Sequence, residues 1–494
     1  MRAHRHTTAC AGMVGGGDSN LNELSPMLPH GTWLRMSHSH AAFDTELNRS
    51  IGSNVRRANS VPVLTRRDRR LLTVSPMLFD RYYMAEGGGL ISSAFNLASA
   101  TCGAGVLALP YAMQHCGTVT GTLTLIFVCN LTIYSVFLLA KVSALTKLMS
   151  YEELAIDLVG PITEKVTAAI IVVFCWGVAV MYIVMMGDFI VPLFEAVGLS
   201  HKVHRRTAMV LFWALVMFPL SMARKVQTLR YASIVGTVSI FLLAGALVDR
   251  FAQDRREDAN STGLDPGRHT PPRAPLARWD SGMIGALTTF VFSYCCQPVA
   301  PRIYEELKDR SVKRMCVCTV CSMTAATVIY ILTGVFGAMS FGDSVKPNVL
   351  VNFSNHLDSR PAQLAYFGIV VSLTMAFPMT IFPTRDSVVM AMGYHAEENP
   401  APVWLSRTIA GLLALLALLI GIALPNIRVL FDVLGGVCGG SLSFLLPALF
   451  ALRSGYWTTA EVGWRHMALT WLTLAFGVVV CGLGTYNSVK SNFF

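Results

Sequence analysis

The chain has 494 residues, 53% of them hydrophobic and 14% charged, with a mean hydropathy of +0.52. Soluble domains carry about 25% charged residues, so a soluble fold is excluded and a polytopic membrane protein is implied. The net charge of +10 is spread over tails and loops, which suits an anionic cytoplasmic leaflet rather than nucleic acid, because no basic stripe carries interleaved aromatics.

Residues 1–85 are polar and rich in Ser, Asn, His and Arg. Their weak apolar periodicity predicts a disordered cytoplasmic tail, and no apolar run opens them as a signal peptide would. Arg66-Arg67-Asp68-Arg69-Arg70 meets lipid headgroups or is simply solvated.

The first apolar segment, residues 90–113, reads LISSAFNLASATCGAGVLALPYAM and carries no charge. It is about as long as a bilayer-spanning helix. Gly103 and Gly105 sit near its middle and Pro110 follows. Glycine is poor helix material, and backbone groups freed in hydrocarbon must face protein or a cavity. A break here is a candidate small-molecule or ion site, as in secondary transporters, although Gly and Pro also occur in membrane helices for packing alone. Gly103-x-Gly105-x-x-Ala108 fits a dinucleotide fingerprint, but no acidic residue follows at the required distance and the flanks are not a βαβ unit.

Ten further apolar segments are predicted at 118–146, 165–191, 207–222, 230–249, 281–303, 315–341, 362–384, 404–424, 428–452 and 466–486. The fold class is therefore an all-α integral membrane protein of about eleven transmembrane helices; a barrel would show short alternating segments. With the N-terminus inside, the basic loops Arg224-Lys225…Arg230 and Lys308…Arg310…Lys313-Arg314 fall in the cytoplasm. The sequons at Asn260 and Asn352 then fall outside, where glycan addition is open to them. Most cysteines lie within apolar segments, and Cys316-x-Cys318-x-x-Cys321 lacks neighbouring His or paired Cys, so no metal is expected.

The sixth span, 281–303, is the second unusual one. Pro298 removes a backbone donor, and Ser293, Tyr294 and Gln297 place polar groups near it. Spans one and six are five apart. Inverted repeats over about 90–249 and 281–452, with 466–486 as an extra helix, would bring the two breaks together at the midplane. Elsewhere, Asp188 near the end of span three is either a proton-coupling carboxylate or the partner of a Lys or Arg. Asp432 near the start of its helix complements the dipole there, Gly435-x-x-x-Gly439 allows close packing, and Arg385-Asp386 reads as a local pair or an inner-gate element.

Four stretches carry a family resemblance: Phe95-Asn96-Leu97 with Gly103 to Ala112; Gly187-Asp188; Phe292 to Pro298 with Tyr304-Glu305-Glu306-Leu307; and Phe377-Pro378…Ile381-Phe382-Pro383-Thr384-Arg385. Gly435 to Gly440 with Pro447-Ala448-Leu449-Phe450 adds a fifth. From about residue 86 to the end the chain resembles the amino acid/auxin permease family, including sodium-coupled neutral amino acid transporters and trypanosomatid amino acid permeases. The resemblance implies a LeuT-like 5+5 inverted repeat with helices one and six broken. Several relatives have His where this chain has Gln297, so no group titrates at that position here.

A free amino acid is the expected substrate. Its carboxylate would meet the N–H groups of Gly105, Val106 and Leu107 at the head of the second half of helix one. Its ammonium would meet carbonyls from Thr101 through Cys102 and Gly103 to Ala104, helped by Ser293, and its side chain would meet Phe292, Tyr294, Cys296 and span three. The resemblance points to Asn96, Thr374 and Ser372 for a coupling Na⁺, although such residues also bond across packed helices. Proton coupling through Asp188 is the other option, and no organic cofactor is implied. Secondary active transport, as symport or exchange, leads. A sensor signalling through the N-terminal tail is the alternative. An enzyme is not expected, since neither HExxH nor a Ser–His arrangement is present. The plasma membrane is the expected location and an acidic organelle the alternative. The particular amino acid and the oligomeric state stay open; the lack of acidic residues deep in spans one and six leans toward neutral substrates.

Overall fold

The computed structural model describes residues 89–196, 205–222, 230–260, 275–278, 282–353, 360–392, 394, 401–424 and 427–493. The tail expected over 1–85 lies outside the described residues. All eleven predicted apolar segments contain helix. Among the described residues nine helices are long and apolar enough to cross a membrane, or ten when the bent pair of span one is taken as one.

Span one breaks where the sequence places its glycines. Leu90–Thr101 and Ala104–Cys116 meet at 46°, the second half opening as a 3₁₀ turn over Ala104–Ala108. Gly103 at the joint has φ −112° and ψ −146°, far from helical values. Span two is Thr118–Thr146, span three Pro161–Ala196 and span five Arg230–Asn260, the last two running well past their predicted ends. Span four, 205–221, is shorter and contains a π turn over Trp213–Met217. Span six consists of Gly282–Ser293, an unwound Tyr294 to Cys296, a 3₁₀ turn Gln297–Val299 and Ala300–Glu306. Val312–Phe341, Arg360–Ala391, Val403–Ala423, Arg428–Arg453 and Thr459–Phe493 are spans seven to eleven.

Between spans two and three lies a short helix that the apolar segments did not predict, Tyr151–Leu158. Ser150 and Glu153 cap it reciprocally: the Ser150 hydroxyl accepts from Glu153 N at 3.2 Å and the Glu153 carboxylate from Ser150 N at 3.3 Å. Tyr151 anchors it to span ten by donating to the Leu442 carbonyl at 2.9 Å. Burial pushes the Glu152 carboxyl above its ordinary 4.5; Glu153 and Glu164 add to the rise, while its own backbone N–H and Arg302 oppose it. The fold therefore disfavours the ionised form. Stability is full below the ordinary value and falls as pH rises through the raised one. Thermal unfolding of the detergent-purified protein should show a Tm that declines from about pH 4.5 toward neutral, and Glu152→Gln should flatten the decline. An equally steep decline in that variant would assign the effect elsewhere.

Span ten is the centre of the bundle: 72% of its apolar window is buried, against 28% for spans nine and eleven. It is not a regular α-helix, running as π-helix over Asp432–Gly439 and Ser441–Leu445. Wide turns of this kind recur at functional sites. Its glycines permit its position. A Cβ on Gly435 would collide with the Thr288 carbonyl of span six, and Gly436 meets Gly484 of span eleven backbone to backbone. The sequence reading of close packing at Gly435 therefore holds.

Candidate functional site at the paired helix breaks

The breaks in spans one and six face each other. A Cβ on Gly105 would lie 2.5 Å from Ser293 Oγ and 2.8 Å from Ser293 Cα, so this approach requires glycine. Thr101, Cys102 and the 3₁₀ turn from Ala104 to Ala108 are buried. Val106 N donates to the Gly103 carbonyl at 3.3 Å and is not free for a ligand. The donors without an intrahelical acceptor at the head of this half are those of Ala104 and Gly105.

A residue that the sequence reading did not single out ties the breaks together. The hydroxyl of Tyr330, on span seven, lies 2.9 Å from the Thr101 carbonyl and 2.6 Å from the Ser293 carbonyl. Both carbonyls end helical segments and lack the next turn's donors. Tyr330 is fully buried, and its ring packs edge-on to Tyr294 at 5.1 Å. No sequence signal marks it, because an aromatic in an apolar helix has the same pattern whether it packs or bridges.

The expected side-chain contacts divide. Phe292 joins Phe174 of span three and Phe431 of span ten, at ring distances of 6.0 and 5.3 Å, in an uncharged aromatic wall. Ser293 donates to the Thr289 carbonyl at 2.8 Å. Tyr294 turns to span seven, its hydroxyl 2.6 Å from Thr327 Oγ1, and Cys296 is buried. Gln297 accepts from Cys296 N at 3.0 Å and from Ser443 Oγ at 2.8 Å. The backbone donor fixes which amide atom is the oxygen. Its Nε2 is buried without a partner among the described residues.

The expected ion ligands each have their own surroundings. Asn96 is exposed; Ser372 faces Gly236 of span five; Thr374 donates to the Val370 carbonyl at 2.7 Å and faces Met186 of span three. Asp188 is paired with Arg205 of span four at 2.8 Å, as its structural reading anticipated. Arg385 and Asp386 also pair, at 2.6 Å. Asp432 stands one turn inside the start of its helix, near the place expected, but it is fully buried and accepts from Thr288 Oγ1 and Asn487 Nδ2, each at 2.8 Å. Asn352 spans its own loop, donating to the Ser344 carbonyl at 2.8 Å and accepting from Lys346 N at 2.8 Å. Asn260 ends the helix of span five, and the rest of its sequon lies outside the described residues. Among the described residues no group of three His, Cys, Asp or Glu could hold a metal ion.

A small cavity opens beside the breaks, between the second half of span one, the first half of span six and the start of span ten. Tyr111, His115, Gly285, Thr289, Arg428 and Phe431 are among its lining residues.

The sequence and this geometry have recorded likenesses. The chain is 28% identical over 421 residues to amino acid transporter AVT6E of Arabidopsis thaliana, covering 82% of this chain and 84% of that one. It is 25% identical over 417 residues to vacuolar amino acid transporter 5 of Saccharomyces cerevisiae, covering 73% and 88%. Among solved structures, MhsT in complex with L-phenylalanine aligns with TM-score 0.54 at 14% identity, over 79% of this chain and 98% of that one. The closed form of Mhp1, a nucleobase-cation-symport-1 family transporter, aligns with TM-score 0.52 at 13% identity, over 84% and 95%. At such identities these two speak for the LeuT-like fold alone. The family model described as transmembrane amino acid transporter protein matches residues 86–490, nearly the whole membrane region, and the chain belongs to that family.

Proposed function

We propose that this protein is a secondary transporter that carries free amino acids across a membrane by alternating access, with the substrate held at the breaks of spans one and six. The observation that carries the reading is the double approach of the Tyr330 hydroxyl to the Thr101 and Ser293 carbonyls, which gathers unwound backbone from both spans at one buried point. Backbone freed from a helix in a membrane is tolerated where it lines a site. The substrate carboxylate meets the Ala104 and Gly105 N–H groups, at the positive end of the second half of span one. Its ammonium meets the carbonyls that precede the break. Its side chain lies toward the wall of Phe174, Phe292 and Phe431, whose lack of charge favours neutral amino acids.

The test is uptake of a labelled amino-acid panel into proteoliposomes holding the full chain, with and without Na⁺ and a pH gradient. Saturable uptake of one or a few neutral amino acids is expected. Correctly inserted protein that binds an amino acid and moves none would replace transport with sensing.

A further inference from the structure

Span seven shows one exposed face. Its exposed positions run from Lys313 through Val317, Val320, Cys321 and Thr324 to Val328. They recur at three and four residues, the spacing of a single helix face. On a helix that crosses a membrane, such a face meets lipid. Lys313 is its one charged member and stands at its end, in the first turn of Val312–Phe341. At 1.5 Å per residue it lies about 6 Å outside Val317, so its ammonium reaches the headgroups while its stem stays on the apolar face.

The loop that leads to Lys313 is basic and ordered. Leu307 is buried and fixes its start, and Lys308 and Arg310 are exposed. Asp309 has φ +50°, which turns the chain sharply between spans six and seven. Arg314 N donates to Ser311 Oγ at 3.2 Å and caps span seven. Arg310 lies over the ring of Tyr304, 5.8 Å from its centroid, on the second half of span six.

The acids near the loop are engaged. Asp309 is held by Arg314 at 3.1 Å, and Glu305 and Glu306 have partners of their own. Among the described residues Lys308, Arg310 and Lys313 form no ion pair. Span two adds a further cation at this depth. Cys129 Sγ of span two lies 3.9 Å from the Met323 carbonyl of span seven, and the two spans run in opposite directions. Lys141 and Ser311, each twelve residues toward this end, are therefore level.

We propose that the foot of span seven is a binding site for a lipid with an anionic headgroup: Lys308, Arg310 and Lys313 hold its phosphate, and an acyl chain lies along the face from Val317 to Val328. The order of charge and then apolar surface along one face fits a lipid and not a soluble phosphate. The sequence reading assigns this loop to the cytoplasm, where anionic lipids are concentrated. A headgroup held here joins the second half of span six, through Arg310 on Tyr304, to span seven, which carries Tyr330. The site does not depend on what the protein carries.

The experiment titrates the detergent-purified full chain with phosphatidylinositol 4-phosphate and, separately, with phosphatidylcholine, and measures retained lipid by native mass spectrometry. Wild type is expected to bind the phosphoinositide more tightly. Replacing all three residues, by Lys308→Gln, Arg310→Gln and Lys313→Gln, should lower its affinity about a hundredfold, at about fivefold per charge. The charge-keeping set Lys308→Arg, Arg310→Lys and Lys313→Arg should bind as wild type does. Arg407→Gln, which removes another exposed charge, should leave binding unchanged. If the triple glutamine variant does not fold, Lys313→Gln alone should lose about fivefold. Equal retention of phosphatidylcholine, or wild-type affinity in the glutamine variants, would overturn the site. So would an equal loss in Arg407→Gln, which would mean general attraction to charge. Binding of inositol 1,4-bisphosphate as tight as that of the lipid would replace the lipid with a soluble phosphate and overturn it as well.

Discussion

Replacing Gly105 with leucine is expected to abolish amino-acid uptake, and replacing it with alanine to reduce it at least about tenfold. The atoms that a new Cβ meets belong to the main chain of span six as well as to the Ser293 side chain, at 2.8 and 2.5 Å. A flexible side chain can swing away from such a clash, but the backbone of a buried helix moves only with the helix. Overpacking costs about 1–3 kcal/mol where side chains can yield, and about 1.4 kcal/mol is a factor of ten. The penalty here falls on the surface where the two breaks meet, so closure around the substrate is lost before the fold is. Initial uptake rates, normalised to protein at the membrane, give the measurement. Gly103→Ala is the comparison, because a Cβ there has nothing within 4 Å and should cost less. Uptake by Gly105→Leu at the wild-type rate would move the site away from the breaks.

Tyr330→Phe should lower both thermal stability and uptake, the latter by about five- to a hundredfold. The variant keeps the ring and its edge-on contact with Tyr294 at 5.1 Å, and removes only the hydroxyl. Thr101's carbonyl retains the Gly103 N–H at 2.8 Å, whereas Ser293's loses the donor at 2.6 Å. A buried acceptor left without a donor costs about 1–3 kcal/mol. Because the hydroxyl joins span seven to both breaks, the loss should appear in KM as well as in Tm. Thr327→Val, which takes the partner of Tyr294 instead, should lower Tm with less effect on KM. Equal KM changes in the two variants would make Tyr330 a packing residue only.

The breaks themselves were legible. Gly103, Gly105 and Pro110 in one uncharged run, and Pro298 beside polar residues in another, are local causes of unwinding wherever the helix is placed. The cap of the helix Tyr151–Leu158 was also written locally, as Ser150 and Glu153, although hydropathy segments pass over so short a helix. For Asp432 a linear reading shows only a position near the start of its helix, because its nearest sequence neighbours are all that it offers. Its partners stand 144 and 55 residues away, and no periodicity announces them.

The sequence by itself determined that the chain crosses a membrane as helices, which apolar segments are helical, and where two of them cannot stay helical. These follow from composition and backbone chemistry, which act over a few residues in lipid as in water. Only the tertiary structure decided what each break and each buried polar group meets: Tyr330 across Thr101 and Ser293, Gly435 against Thr288, and Asp432 between spans six and eleven. A helix that is apolar all round gives no sign of the face it will present to which neighbour. That choice is made by the fit of many side chains at once, and here by the glycines that let span ten sit close between its neighbours.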